Sequence, residues 1–156
     1  MDVRYINPFL AAVKEVFETM IEIPFTVGKP SLKKDGMPTH DVSSIIGISG
    51  NVTGCVVITL SEKTALQLAS ALIGDEIPEM DEDCIDAIGE IANMVAGSAK
   101  NGFPVANTSL SVPTVVLGKH QVNYPSAIPI ISIPCETTEG MFGVDIALKE
   151  VSSSNP

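Results

Sequence analysis

Apolar positions along the chain fall into runs with two different periods. Leu10, Val13, Phe17 and Met20 recur at helical spacing in a stretch read as a helix over 7–22. Asn7 is the expected N-cap, Pro8 stands at the first helical position, and Pro24 stops the helix. Residues 25–28 and 31–34 read as short extended pieces, and Lys34-Asp-Gly-Met-Pro as a turn. Two dense runs rich in Val, Ile and Thr follow at 42–50 and 52–60, with Gly50-Asn51 between them as a hairpin turn. Ser61 caps a further helix whose stripe is Ala65, Leu66, Leu68, Ala69, Leu72 and Ile73, and Gly74 ends it. An acidic linker at 75–83 leads into a long helix over 81–101, closed by Gly102. The remainder predicts strands at 108–110, 114–117, 120–122, 128–134 and 141–149. Hairpin joins dominate among the strands. The expected fold is therefore α+β, an antiparallel-rich sheet with the two long helices, 8–22 and 81–101, side by side on one face. Residues 1–150 read as one domain and 151–156 as a disordered tail.

The two long helices also resemble each other. An offset of 75 residues places Glu15 on Glu90, Ala12 on Ala87, Val13 on Ile88 and Val16 on Ile91. Residues 53–60 and 142–149 also echo each other, each following a strand and a turn. Two helix-plus-hairpin halves related by a pseudo-twofold axis are the natural reading, with chance similarity of amphipathic helices as its competitor. At this offset Asp86 faces Ala11 and Asn93 faces Glu18, so the second copy carries a polar set that the first lacks.

Composition sharpens this picture in three ways. The chain has 156 residues, 45% of them hydrophobic, no Trp and few aromatics, which predicts one aliphatic core. The net charge of −10, with Lys33-Lys34 as the densest basic pair, argues against nucleic acid as a partner. Cys55, Cys84 and Cys135 are odd in number and widely spaced, which predicts three reduced thiols rather than a disulfide framework or a zinc site. Neither His40 nor His120 has neighbours with ligand spacing, so no metal site is expected. No signal peptide and no apolar run of membrane-spanning length is visible, so the expected location is cytoplasmic and off the membrane.

The helix at 81–101 carries the candidate chemistry. At about 100° per residue, Asp86, Glu90, Asn93, Gly97 and Asn101 form one narrow stripe. Ile85, Ile88, Ala92, Val95 and Ala99 fall opposite and are the expected buried face. Simple solvation would account for such a stripe. Three features argue for more. The stripe has no Lys or Arg partner at i+4. Asn93 is a poor helix former placed mid-helix. Gly89 and Gly97 each sacrifice roughly 1 kcal/mol of helix propensity, a cost that is reasonable if another surface must come close.

Asp86-Ala-Ile-Gly-Glu90-Ile-Ala-Asn93, followed by Asn101, resembles the motif of the CheX/CheC/FliY phosphatases of bacterial chemotaxis, and Ser111-Val-Pro-Thr-Val-Val-Leu-Gly-Lys119 is similar to their strand-turn segment. The resemblance covers nearly the whole chain. CheC-like members carry the Glu-x-x-Asn pair in both halves, whereas this chain carries it once and so looks more like CheX. The resemblance implies removal of the phosphoryl group from the aspartyl-phosphate of a CheY-like response regulator by in-line attack of water, with Mg²⁺ held by the regulator and no cofactor bound by this chain. Carried over by motif position, Asn93 would orient the water and Glu90 would pair with the regulator's active-site lysine. Asp86, Gly89, Gly97 and Asn101 would line the contact, and Asn101 would also cap or brace the helix end. A homodimer formed through the sheet is implied as well. Two rivals share the fold: a module that binds the regulator without turning it over, and a structural part of the flagellar switch.

Overall fold

The computed structural model describes residues 2–33, 40–124 and 127–151. In chain order the elements are helix α1 (Val3–Val16), continued by a π-helical turn (Phe17–Ile21), then strands β1 (Phe25–Val27), β2 (Ser31–Leu32), β3 (His40–Gly50) and β4 (Val52–Leu60). Helices α2 (Glu62–Ile73) and α3 (Glu82–Lys100) follow, and then β5 (Thr108–Leu110), β6 (Thr114–His120), β7 (Ile131–Thr137) and β8 (Gly140–Glu150). The expected turn at 34–38 and all of the expected tail but Val151 lie outside the described residues. Val151 itself donates its N–H to the Asn51 carbonyl at 2.9 Å and so extends the sheet.

The strands form one eight-stranded sheet in the order β1-β7-β8-β4-β3-β5, with β2 also on β7 and β6 also on β3. Every pairing among the described residues is antiparallel. The long central pair, β4 and β8, runs from Val52↔Glu150 to Leu60↔Phe142. The alternating residues Val42, Ile46 and Ile48 of β3, Val56, Ile58 and Leu60 of β4 and Val144, Ile146 and Leu148 of β8 enter the core, and all three helices contribute to it. Helix α1 packs beside α3, α2 packs on α3 and on the π-helical turn that continues α1, and α3 meets β3, β4, β5 and β6. The α+β fold with both long helices together is as the pattern predicts. No described helix is long and apolar enough to cross a membrane.

Several boundaries differ from expectation for identifiable reasons. Helix α1 starts at Val3 because Asp2 caps it, its carboxylate accepting the Arg4 N–H at 2.9 Å. Pro8 is therefore inside the helix and not at its first position. Its ring has a compensating use: a Cβ on Gly102, just past α3, would lie 3.0 Å from the Pro8 Cβ, so the missing side chain lets the two helices meet. The π turn, closed by Glu22 N–H on the Phe17 carbonyl, displaces the stripe. Ile21 turns inward and Met20 is left 51% exposed. The two pieces expected at 114–117 and 120–122 are one strand, β6, which passes through Gly118 at φ +91 while β3 absorbs an irregularity between His40 and Val42. Strand β7 starts three residues later than predicted; Pro129 has no N–H to give a ladder, and the register Ile131↔Ile146 fixes the pairing. Aromatics also matter more than their number suggested. Phe17 stacks on Phe142 with ring centroids 5.2 Å apart, and Phe103 closes on Tyr5 and Phe9 at 5.2 and 5.7 Å.

The second face of the sheet holds a charge. Asp145 on β8 is 1% exposed, is ion-paired with Lys33, and accepts a hydrogen bond from the Tyr124 hydroxyl at 3.3 Å. Lys33, one half of the densest basic pair in the sequence, is carried there by the β2–β7 pairing, since Ser31 lies beside Ser132 and Ser132 beside Asp145. Burial pushes all three cysteine thiols up, Cys135 to about 12, which suits unreactive structural thiols.

Two predictions follow from the packing. A Cβ on Gly89 would sit 3.3 Å from Pro113 Cγ, whereas nothing lies within 4 Å of one on Gly97. Gly89→Val should therefore lower unfolding free energy by about 2 kcal/mol, and Gly97→Ala should raise it by up to about 1 kcal/mol, both measured by urea titration. The second concerns alkaline stability. Burial, with the hydrogen bond to Glu150, pushes the Tyr5 hydroxyl up to about 12 from an ordinary value of 10.0. The unfolded chain loses this proton first, so the contribution is complete below pH 10 and vanishes as pH rises to about 12. Tyr5→Phe should cost about 1 kcal/mol near neutrality, and its unfolding midpoint should fall less steeply than the wild type's across that window.

Candidate functional site

Local sequence sets α3 firmly in place. Asp81 caps its start, the carboxylate accepting the Cys84 N–H at 2.9 Å, and Glu82 and Asp83 sit in the first turn where the helix dipole favours acids. Lys100 occupies the last turn and Asn101 is the C-cap, as its position beside Gly102 suggests. The buried residues Ile88, Ala92, Val95 and Ala99 hold the inner face to the core, while Ile85 is only half-buried.

This anchoring leaves the predicted stripe facing outward. Asp86, Glu90, Asn93 and Asn101 are exposed, and Gly97 is half-buried with open space at its missing side chain. Glu90 and Asn93, three residues apart, are neighbours on the helix surface, with Cβ atoms roughly 5–6 Å apart. Among the described residues, no hydrogen bond or ion pair engages the side chains of Asp86, Glu90, Asn93 or Asn101. An amide that is a poor helix former stands mid-helix, bonded to no neighbour, beside a carboxylate in the same condition. Both groups are thus available to an incoming surface. Among the described residues no group of three His, Cys, Asp or Glu side chains converges to hold a metal ion.

Gly89 differs from the expectation placed on it. It is buried, and Pro113 and Val115 occupy the space its side chain would take. Its small size admits a segment of this same chain, the turn between β5 and β6, and it does not leave the face open. The glycine signal was legible, but only tertiary structure says which surface approaches it. On the opposite flank the Ser98 hydroxyl donates to the Glu15 carboxylate of α1 at 2.7 Å. Glu15, the counterpart of Glu90 in the first helix, therefore braces α1 against α3. The exposed stripe runs as a strip of α3 between α1 on one side and the Ser111-Val112-Pro113 turn on the other.

The family model described as chemotaxis phosphatase CheX matches residues 42–136. The CheY-P phosphatase CheX of Thermotoga maritima is 34% identical over 122 residues, covering 76% of this chain and 79% of that protein. The crystal structure of a CheC-like superfamily protein from Shewanella sp. PV-4 superposes with a TM-score of 0.86 at 34% identity, over 96% of this chain and 99% of that one. CheX in the CheX–CheY–BeF3–Mg²⁺ complex from Borrelia burgdorferi superposes with a TM-score of 0.80 at 26% identity, over 94% of this chain and 98% of that one. With its fold, its single outward Glu-x-x-Asn pair and these matches together, the chain belongs to the CheX family of chemotaxis phosphatases.

Proposed function

We propose that this protein hydrolyses the aspartyl-phosphate of a CheY-type response regulator in the cytoplasm, using the exposed stripe of α3. The observation that carries the reading is the outward Glu90–Asn93 pair, unpartnered among the described residues, on a helix fixed at both ends. The relatives' activity and the solved complex of one of them with CheY support it.

Hydrolysis of an acyl phosphate needs a water in line with the scissile P–O bond and stabilisation of charge on the phosphoryl oxygens. Mg²⁺ held by the regulator would supply neutralisation of that charge. The chain's own contribution is positional. The Asn93 amide both donates and accepts, so it can hold a water by lone pair and proton together and fix its direction of approach. Glu90, one turn away on the same face, meets the ammonium of the regulator's active-site lysine and sets the helix in register over the phosphoryl group. Asp86 and Asn101 extend the contact along the stripe, and the open space at Gly97 lets the regulator's backbone come close. Gly89 drops out of the contact set because Pro113 covers it. A helix suits the task better than a loop, because backbone hydrogen bonds keep both side chains in one geometry without help from the partner.

Three variants test this with phosphate release and binding measured side by side. Asn93→Ala should leave stability within about 0.5 kcal/mol and binding intact, yet slow turnover about 100-fold, because its interaction exists mainly in the transition state. Glu90→Ala should lower both affinity and rate and make binding less salt-sensitive. Glu18→Ala, on the first helix, should be silent in turnover, and Glu15→Ala should lose only the bond to Ser98. Full activity in Asn93→Ala overturns the mechanism, and tight binding by the wild type without accelerated dephosphorylation replaces it with a binding module.

A further inference from the structure

The turn between β5 and β6 holds an apolar side chain at the edge of the site for which the fold has no use. Val112 is 82% exposed, the most exposed of the large hydrophobic residues among those described. A single exposed valine is ordinary on a protein surface. Its setting here is not. The Ser111 N–H donates to the Gly47 carbonyl at 2.9 Å, and the Gly47 N–H donates back to the Ser111 hydroxyl oxygen at 2.8 Å. That hydroxyl in turn donates to the carbonyl of Val112 itself at 2.9 Å. On the other side Pro113, its φ locked by its ring, fills the place of the missing Gly89 side chain. Both flanking strands are paired to β3, through Ile48↔Leu110 and Ile45↔Thr114. The backbone at Val112 is pinned from both ends, so the side chain is held outward.

Its location follows from helical geometry. Taking Gly89 as the origin and about 100° per residue, Asn93 lies near 40°, Asp86 near 60° and Glu90 near 100°. Pro113 covers Gly89, so the turn borders the stripe on the side of Asn93 and away from α1.

We infer that Val112 is an apolar anchor of the docking surface, one that meets an apolar side chain of the phosphorylated regulator beside its phosphorylation pocket and thereby selects among regulators. The inference rests on the reading of α3 as the docking helix. Its occupant follows from continuity: any surface that brings a phosphoryl group to Asn93 also comes over the adjoining turn. The stripe itself offers only polar and small groups, whose contacts exchange one set of hydrogen bonds for another. A fixed branched side chain beside it adds dry contact at little entropic cost, which is how a few residues come to dominate an interface. The contact lies outside the reacting atoms, so it belongs to affinity and not to the chemical step.

The test is steady-state dephosphorylation of a regulator phosphorylated with a small-molecule donor, together with titration of the same regulator activated by beryllofluoride. Val112→Thr, which keeps the shape and replaces a methyl by a hydroxyl, should raise KM and Kd about fivefold, and Val112→Asp at least about tenfold, with kcat unchanged within about twofold. Val112→Ile should behave as wild type. Since the side chain is exposed, thermal unfolding should match wild type in all three. Wild-type KM in Val112→Asp overturns the inference. So does a loss in Val112→Asp that Val112→Thr does not share, because that reports repulsion by an added charge. So does a fall in kcat at constant KM. Asn93→Ala measured in the same preparation separates the two readings. If it slows turnover as proposed while Val112→Asp keeps its KM, only the anchor fails; if it turns over fully, the docking-helix reading fails.

Discussion

The structure depends first on how closely α3 is held to its neighbours. Its inner face is a row of small and branched apolar residues, Ile88, Ala92, Val95 and Ala99, that bring the helix axis close to the sheet. Two further approaches are tighter still and need a glycine on one side and a proline on the other. Gly102 admits Pro8 of α1 at the C-terminal end, and Gly89 admits Pro113 of the β5–β6 turn near the middle. Each proline ring is rigid, and each glycine removes the atom that would clash. Together they leave α3 almost no freedom to roll. The outward direction of Glu90 and Asn93 is the consequence, because a helix that cannot roll fixes every side chain on its free face.

Such rigidity suits the proposed reaction, in which the protein would offer geometry and little else. A water molecule aligned by an amide is useful only if the amide's position is set before the partner arrives. Asn93 is an unfavourable choice for mid-helix, and among the described residues nothing rewards it with a hydrogen bond. The folded molecule accepts a small local cost to keep donor and acceptor free. At Val112 a branched apolar group is likewise exposed, on a turn held by the Ser111–Gly47 hydrogen bonds and by Pro113 against Gly89.

The far face of the sheet uses a different interaction. Asp145 is buried beneath Lys33 and Tyr124, and one of its carboxylate oxygens finds no hydrogen-bond partner among the described residues. A buried ion pair seldom adds much net stability, but breaking one side of it is costly. Here the pair ties the short β2 arm to β8 at the centre of the sheet, and the Lys33 ammonium lies 5.9 Å from the centre of the Tyr124 ring. Those three side chains come from distant parts of the chain and share no sequence pattern.

Where neighbours within a few residues decide the outcome, the sequence by itself determined it. The period of apolar residues set which segments became helix and strand. Ser61, Gly74 and the acidic start of α3 set the ends of two helices. The spacing of Asp86, Glu90, Asn93, Gly97 and Asn101 placed them on one stripe, because 3.6 residues per turn holds wherever the helix ends up. Tertiary structure alone decided what that stripe faces. Gly89 and Gly97 look alike in the sequence, yet one is filled by Pro113 and the other is open. Glu15 reads as a spare copy of Glu90, yet it bonds Ser98. Lys33 stands in the sequence only as half of a basic pair, yet it neutralises Asp145. In each case the deciding partner lies tens of residues away, and strand register or helix packing, which no local period encodes, brings it into contact.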